Sequence, residues 1–206
     1  MKRLFILLVL ATLFASCAKD TNKVLLFIRD GSADLEYMLT KEVFVMKKML
    51  EQSGFEVTVA TVFGEPISTD SVNLEPNLKL GDVNTADYAG LILPCMAAGL
   101  YIAPEAVAMV KKAAAEGKPV AAQLFSVVTL AEAGVLVGKK YALLSEVDVN
   151  RYPVFKGSFY SGTGVIQDGN IITSGVCPFI ARRREIQDGT EELTRALIDA
   201  IRARTK

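Results

Sequence analysis

The residues of this chain that could support chemistry are three cysteines and a glutamate. Cys95, Cys177 and Glu36 each come shortly after an apolar segment, and Cys17 ends an apolar run near the N-terminus. A cysteine thiolate is a nucleophile, but its formation needs a base or a favourable electrostatic setting. The chain contains no histidine, so imidazole cannot be the base, a proton shuttle or a metal ligand. Glu36 is therefore the base that Cys95 or Cys177 would use.

Several uses of Cys95 and Cys177 stay open. They could be small, buried and unreactive thiols, or they could form a disulfide if their Cα atoms lie within about 7 Å. Either cysteine could also act as a nucleophile with Glu36 as its base. We expect no metal site at these three residues because they offer too few matched ligands, and we expect no cofactor.

The elements that must position these residues follow an α/β pattern. Residues 24–28 form a continuous apolar run, as expected for a central strand. Apolar residues then recur at helical spacing at Leu39, Val43, Met46 and Leu50. Strands are predicted at 55–60, 91–93 and 119–122, and helices at about 104–116 and 126–134, with Ser126 as the N-cap of the second helix.

The C-terminal part adds a hairpin and a final amphipathic helix. Asp168-Gly169 lies between two apolar pairs and predicts the hairpin turn. Alternating strands and helices predict a three-layer αβα sandwich with a mostly parallel, doubly wound sheet of flavodoxin-like or Rossmann-like type. Residues 64–86 are predicted to be an excursion with short edge strands. Glu36, Cys95, Leu124 and Cys177 follow strands, so we expect them to line one crevice at the carboxyl ends of the sheet.

The N-terminus has the pattern of an export signal. Lys2 and Arg3 precede the apolar run at residues 4–14, which is too short to span a bilayer, and small residues lead to Cys17. This arrangement resembles a bacterial lipobox, which predicts lipidation of Cys17. The alternative is ordinary cleavage after Ala18.

These features predict three regions: a signal peptide at 1–16, a lipidated tether at 17–23 and a domain at 24–206. The lipid would serve only as a membrane anchor, and the protein would reside in the bacterial cell envelope. Ala18 stands where an aspartate would resemble an inner-membrane retention signal, which slightly favours the outer membrane.

The charge pattern argues against nucleic acid as a partner. The 23 basic and 23 acidic residues give a net charge of zero, whereas nucleic-acid-binding domains carry a basic patch. Residues 182–184 are the one tight basic run, and three arginines in a polar stretch are expected to form a solvated loop.

Three segments carry a resemblance to a known family. They are residues 87–94, residues 116–122 running on to 130–136, and the hairpin segment 164–173. These segments resemble the ThiJ/PfpI family, which belongs to the DJ-1 superfamily and has a class I glutamine amidotransferase-like fold. The resemblance covers nearly all of the chain after the leader, and it implies a homodimer.

The resemblance also implies where the family's catalytic residues would lie. The family carries a cysteine followed by histidine on a strained turn, where this chain has Leu124 and Phe125. Glycines that can stabilise an oxyanion are replaced by Cys95 and Met96. Glu36 stands where the family's glutamate approaches the cysteine, although it could instead be a first-turn carboxylate that interacts with a helix dipole.

The leading hypothesis is therefore a non-catalytic binding or interaction protein whose ligand is an unidentified small molecule or protein. Its crevice would be lined by Glu36, Cys95, Met96, Leu124, Phe125 and Cys177. The alternative is a hydrolase or carbonyl-processing enzyme, peptidase-like or glyoxalase-like, that uses Cys95 or Cys177.

Overall fold

The computed structural model describes residues 22–99 and 101–204. Its centre is a seven-stranded sheet in the order β10-β11-β7-β6-β1-β2-β5. Neighbouring strands are parallel except for the antiparallel hairpin of β10 and β11 at one edge. The strands of this sheet are β1 (Lys23–Ile28), β2 (Glu56–Thr61), β5 (Leu78–Lys79), β6 (Gly90–Leu93), β7 (Val120–Gln123), β10 (Val165–Asp168) and β11 (Ile171–Ser174).

Helices cover both faces of the sheet. One face carries α1 (Leu35–Met38), a π-helical segment (Leu39–Val43), α2 (Phe44–Gln52) and α6 (Thr190–Arg204). The other face carries α3 (Pro104–Ala115) and α4 (Ser126–Glu132). The short helix α5 (Pro178–Arg184) lies between β11 and α6 in the chain and contacts α1. Among the described residues, no helix combines the length and the apolar character that crossing a membrane requires.

Strand β1 explains why the core divides into two clusters. Val24, Leu26 and Ile28 belong to the cluster under α2 and α6, whereas Leu25 and Phe27 belong to the cluster under α3 and α4. Successive side chains of a strand point to opposite faces, so a strand covered on both faces is apolar at every position. The continuous apolar run at 24–28 is therefore a central strand, as predicted.

The structure confirms the predicted α/β fold with three layers, a mostly parallel sheet and a C-terminal hairpin. Residues 64–86 contain the antiparallel pair β3 (Ile67–Ser68) and β4 (Asn73–Leu74), followed by β5 at the sheet edge. Sequence inspection missed a second small sheet, in which β8 (Lys140–Tyr141) pairs with β9 (Phe159–Tyr160).

The prediction of a solvated loop at residues 182–184 is corrected by the structure. These residues form the last turn of α5. The Arg182 guanidinium donates to the Asp34 carboxylate at 2.6 Å and stacks over the Tyr37 ring at 3.9 Å. This contact attaches α5 to α1, whose first residue follows Asp34.

Candidate functional site

The loop after β6 is organised around a buried carboxylate. The backbone N–H of Cys95 donates to Oε1 of Glu42 at 2.8 Å, and the N–H of Met96 donates to Oε2 at 2.9 Å. All three residues are completely shielded from solvent. Two adjacent N–H groups converging on one carboxylate form a complete anion site that the protein fills with its own side chain.

Glu42 reaches this position from the π-helical segment between α1 and α2. Its neighbours Leu39, Val43 and Met46 pack into the core under the sheet. Sequence inspection missed Glu42, although it stands at helical spacing among these apolar residues. A charged residue on an apolar helix stripe is the signal that would have identified it.

The turn from β7 into α4 is built around Leu124. Leu124 has a φ of +44°, and its N–H donates to the carbonyl of Ser174 at 2.7 Å. The side chain is almost completely buried, and Phe125, which is half-buried, packs against the same core cluster. Positive φ is costly for a residue with a Cβ, so the surrounding hydrogen bonds and packing impose this conformation.

Ser126 does not have the role predicted for it. Phe125 is the N-cap of α4 and makes no side-chain capping bond. Ser126 is the first residue of the helix, and its hydroxyl donates to the carbonyl of Pro94 at 2.5 Å. This buried bond joins the Leu124 turn to the loop after β6, where Met96 and Ala97 also have positive φ values of 57° and 46°. Strained backbone is therefore concentrated in two loops that touch each other.

The structure brings Cys95 and Cys177 together. Both thiols are free and completely buried in one core cluster. Burial raises the pKa of Cys95 well above its ordinary value, and its hydrogen bond to Cys177 and the nearby Glu42 raise the pKa further. The same hydrogen bond lowers the pKa of Cys177, assisted by the backbone N–H groups of Ile180 and Phe179.

Glu42 completes this cluster electrostatically. Burial raises its pKa well above the ordinary glutamate value, and the nearby Cys177 raises it further. The two backbone N–H groups act in the opposite direction because they stabilise the carboxylate. Among the described residues, no group of three or more potential metal ligands has an arrangement that could hold a metal ion.

The expectation that Glu36 faces the thiols is corrected by the structure. Glu36 lies in α1 and is exposed, and its carboxylate accepts from the hydroxyls of Ser71 at 3.2 Å and Thr69 at 3.4 Å. The carboxylate beside the cysteines belongs to Glu42 instead, six residues further along the chain. Of the other residues expected in the crevice, four belong to one core cluster and Phe125 packs against it: Cys95, Met96, Leu124 and Cys177. Cys17 lies outside the described residues.

Arg29 supports the loop after β6 from the opposite face of the sheet. Its guanidinium donates to the backbone carbonyls of Gly99 and Tyr101, the latter at 3.2 Å. The side chain is only 5 % exposed. Arg29 directly follows Ile28, whose side chain belongs to the core cluster under α2 and α6. Successive side chains of a strand point to opposite faces, so Arg29 lies on the other face of the sheet. A buried cation and a buried carboxylate thus fix the two ends of this loop.

Comparison with known proteins identifies the family. Residues 22–179 match the DJ-1/PfpI family. An uncharacterised protein of Methanocaldococcus jannaschii is 28% identical over 187 residues, which is 84% of this chain and 89% of that protein. A protein of Thermococcus kodakarensis named as a deglycase is 30% identical over 155 residues, which is 74% of this chain and 89% of that protein.

Solved structures share the fold. The ThiJ/PfpI domain protein of Brachyspira murdochii has a TM-score of 0.70 and 17% identity, covering 89% of this chain and 98% of its own. The putative protease I of Bacteroides thetaiotaomicron has a TM-score of 0.61 and 16% identity, covering 85% of this chain and 98% of its own. The extent of the sequence match, together with the shared fold, establishes that this chain belongs to the DJ-1/PfpI family.

Proposed function

We propose that this chain is a binding or interaction protein of the DJ-1/PfpI family that does not use the family's cysteine and histidine chemistry. The observation that carries the proposal is Leu124, which occupies the strained turn between β7 and α4. The family resemblance assigns a nucleophilic cysteine to this turn and a histidine to the next position, which is Phe125 here. A leucine cannot form the covalent intermediate on which nucleophilic catalysis depends.

The loop after β6 supports the same proposal. The resemblance assigns oxyanion stabilisation to the residues that follow Pro94, where backbone N–H groups would face the reacting carbonyl. Here the N–H groups of Cys95 and Met96 already donate to Glu42. A substrate oxyanion would have to displace this buried carboxylate before it could use them.

A second candidate function is a carbonyl-processing or hydrolytic enzyme that uses Cys177 or Cys95. The relative named as a deglycase favours this class. The lowered pKa of Cys177 also favours it, because the thiolate is the nucleophilic form. Against it stands the complete burial of both sulfurs, which keeps a substrate carbonyl out of reach unless the loops open.

Enzyme assays separate the two candidates. Methylglyoxal consumption and hydrolysis of small peptides would be measured for the wild type, Leu124→Cys, and Leu124→Cys combined with Phe125→His. The wild type should show no turnover above the uncatalysed rate. Leu124→Cys alone should gain little, because the N–H groups of Cys95 and Met96 would still donate to Glu42.

Two cysteine variants provide the control. Wild-type turnover that disappears in Cys95→Ser or Cys177→Ser would replace the binding proposal with the second candidate. Wild-type turnover that survives both substitutions would contradict both candidates. Circular dichroism and thermal melting of every variant would establish that any loss reflects chemistry and not unfolding.

We further propose that the protein is exported and anchored in the cell envelope by a lipid on Cys17, with the outer membrane slightly favoured. Support comes from the charged start, the apolar run at 4–14 and the small residues before Cys17. The mass of the mature N-terminus tests this proposal. A lipidated N-terminal Cys17 is expected, whereas an unmodified chain that begins at Lys19 would rule the anchor out.

A further inference from the structure

We propose that Cys95 and Cys177 form an oxidative cross-linking site, at which a small two-electron oxidant such as hydrogen peroxide converts the two thiols into a disulfide. The proposal concerns thiols outside the Leu124 turn. It therefore holds or fails independently of whether the protein is a catalyst.

The sheet order explains why two cysteines far apart in sequence meet. Cys95 follows β6, and Cys177 follows β11, and these strands lie on either side of β7 in the sheet. The two loops follow the strands on either side of β7, and the two cysteines lie in one buried core cluster, where their side chains share a hydrogen bond. Two sulfurs in hydrogen-bonding contact need only a small further approach to form a disulfide.

The surroundings of the two sulfurs give them different roles. The side-chain contact with Cys95, assisted by the backbone N–H groups of Phe179 and Ile180, lowers the pKa of Cys177 because both favour its thiolate. Cys95 lies beside the Glu42 carboxylate, which disfavours a second negative charge. Cys177 is therefore the thiol that reacts with the oxidant, and Cys95 is the thiol that resolves the product.

The reaction balances with peroxide as the only co-reactant. The Cys177 thiolate attacks one peroxide oxygen and the O–O bond breaks, which gives a sulfenic acid and a hydroxide that combines with the Cys177 proton as water. The Cys95 sulfur then attacks the sulfenic sulfur, the S–O bond breaks, and the hydroxyl leaves with the Cys95 proton as a second water. Two thiols lose two electrons and two protons, and peroxide is reduced to two waters.

The cross-link would act on the two loops that flank the Leu124 turn. It would join the loop that contains Met96 to the N-cap residue of α5, across the end of β7. Both sulfurs are completely buried, so the oxidant must be small and must enter when these loops open. Oxidation would then hold the loops in the closed arrangement.

The test is mass spectrometry of the full-length protein treated with hydrogen peroxide, unfolded under non-reducing conditions and alkylated with iodoacetamide. We expect the product to be about 2 Da lighter before alkylation. Peptide mapping should join Cys95 to Cys177 and should distinguish both from Cys17. Dithiothreitol should restore two alkylatable thiols. Unchanged alkylation of both cysteines, or oxygen adducts on either one without a cross-link, would overturn the proposal.

Single substitutions test the assigned roles. In Cys95→Ser, peroxide should leave a Cys177 sulfenic acid that dimedone traps, whereas in Cys177→Ser the Cys95 thiol should stay reduced under the same treatment. The reverse pattern would overturn the assignment of the attacking thiol.

Wild-type protein treated with peroxide in urea provides a control that needs no variant. If the unfolded chain forms the Cys95–Cys177 bond as fast as the folded chain, proximity in the fold is not its cause.

Discussion

Among single residues, Glu42 couples the candidate site to pH. Its carboxyl group is completely buried, and burial raises its pKa well above the ordinary glutamate value. The folded protein therefore binds this proton more tightly than the unfolded chain does. The stability that results is fully present below the ordinary glutamate pKa, and it is lost as the pH rises through the raised pKa of Glu42.

Glu42→Gln should remove this pH dependence, because the amide resembles the protonated carboxyl group and does not titrate. The free energy of unfolding of the wild type, relative to the variant, should fall with rising pH by up to about 1.4 kcal/mol per pH unit. Urea unfolding between about pH 4 and pH 8 measures the difference. The control is Glu36→Gln at an exposed carboxylate, whose curve should follow the wild type. Identical curves for Glu42→Gln and the wild type would contradict the prediction.

Leu124 offers a test of backbone strain at one position. Leu124→Ala should destabilise the protein by about 2–5 kcal/mol because it leaves a cavity in the core. Leu124→Gly should be no less stable than Leu124→Ala, since glycine adopts the observed φ of +44° without the cost of a Cβ.

The matched control is Leu130, which is completely buried within the helix α4. There the glycine variant should be less stable than the alanine variant by about 1 kcal/mol, as in any helix interior. Chemical denaturation of the four variants gives both differences. A glycine penalty at Leu124 as large as the penalty at Leu130 would show that the turn is not strained.

At the scale of elements, the close approach of two loops limits what can follow β11. A Cβ added to Gly175 would lie 2.5 Å from the backbone carbonyl carbon and oxygen of Leu143. Backbone atoms cannot rotate away as a flexible side chain can, so the loops would have to separate. Gly175 also lies between β11 and Cys177, so this separation would disturb the cysteine pair.

Gly175→Ala should therefore destabilise the protein by about 1–3 kcal/mol. Gly164→Ala is the matched control, because its added Cβ would have no atom within 4 Å, and it should change stability by no more than about 0.5 kcal/mol. Thermal and urea unfolding measure both effects. Equal stability of the two variants would contradict the close contact between Gly175 and Leu143.

Elements also show what sequence patterns could and could not predict. The strand β1 was predictable because burial on both faces requires apolar residues at every position. The pairing of Cys95 with Cys177 was not predictable, because it depends on the order β11-β7-β6, which no local pattern encodes. The helix α5 was missed because its last turn is a run of arginines, and Arg182 packs through contacts with Asp34 and Tyr37 that arise only in the folded protein.

At the scale of the whole molecule, both core clusters are built from residues that begin at β1. Within residues 22–99 and 101–204, their buried members extend from Val24 to Ile201. A chain that begins at residue 22 should therefore fold and melt within about 2 °C of the full-length protein. A chain that begins at residue 30 lacks β1, the strand between β6 and β2, and should not fold. A large loss of stability on removing residues 1–21 would contradict this prediction.

The π-helical segment before α2 has a consequence for how this family changes by insertion and deletion. A π-helical turn holds more residues than an α-helical turn, and each helical residue advances the direction of the side chains by about 100°. Deleting one codon within Leu39–Val43 would leave α2 and its buried face in place while turning α1 away from α5. Homologous genes that keep the contact between α1 and α5 should therefore also keep a constant number of residues between β1 and the buried carboxylate.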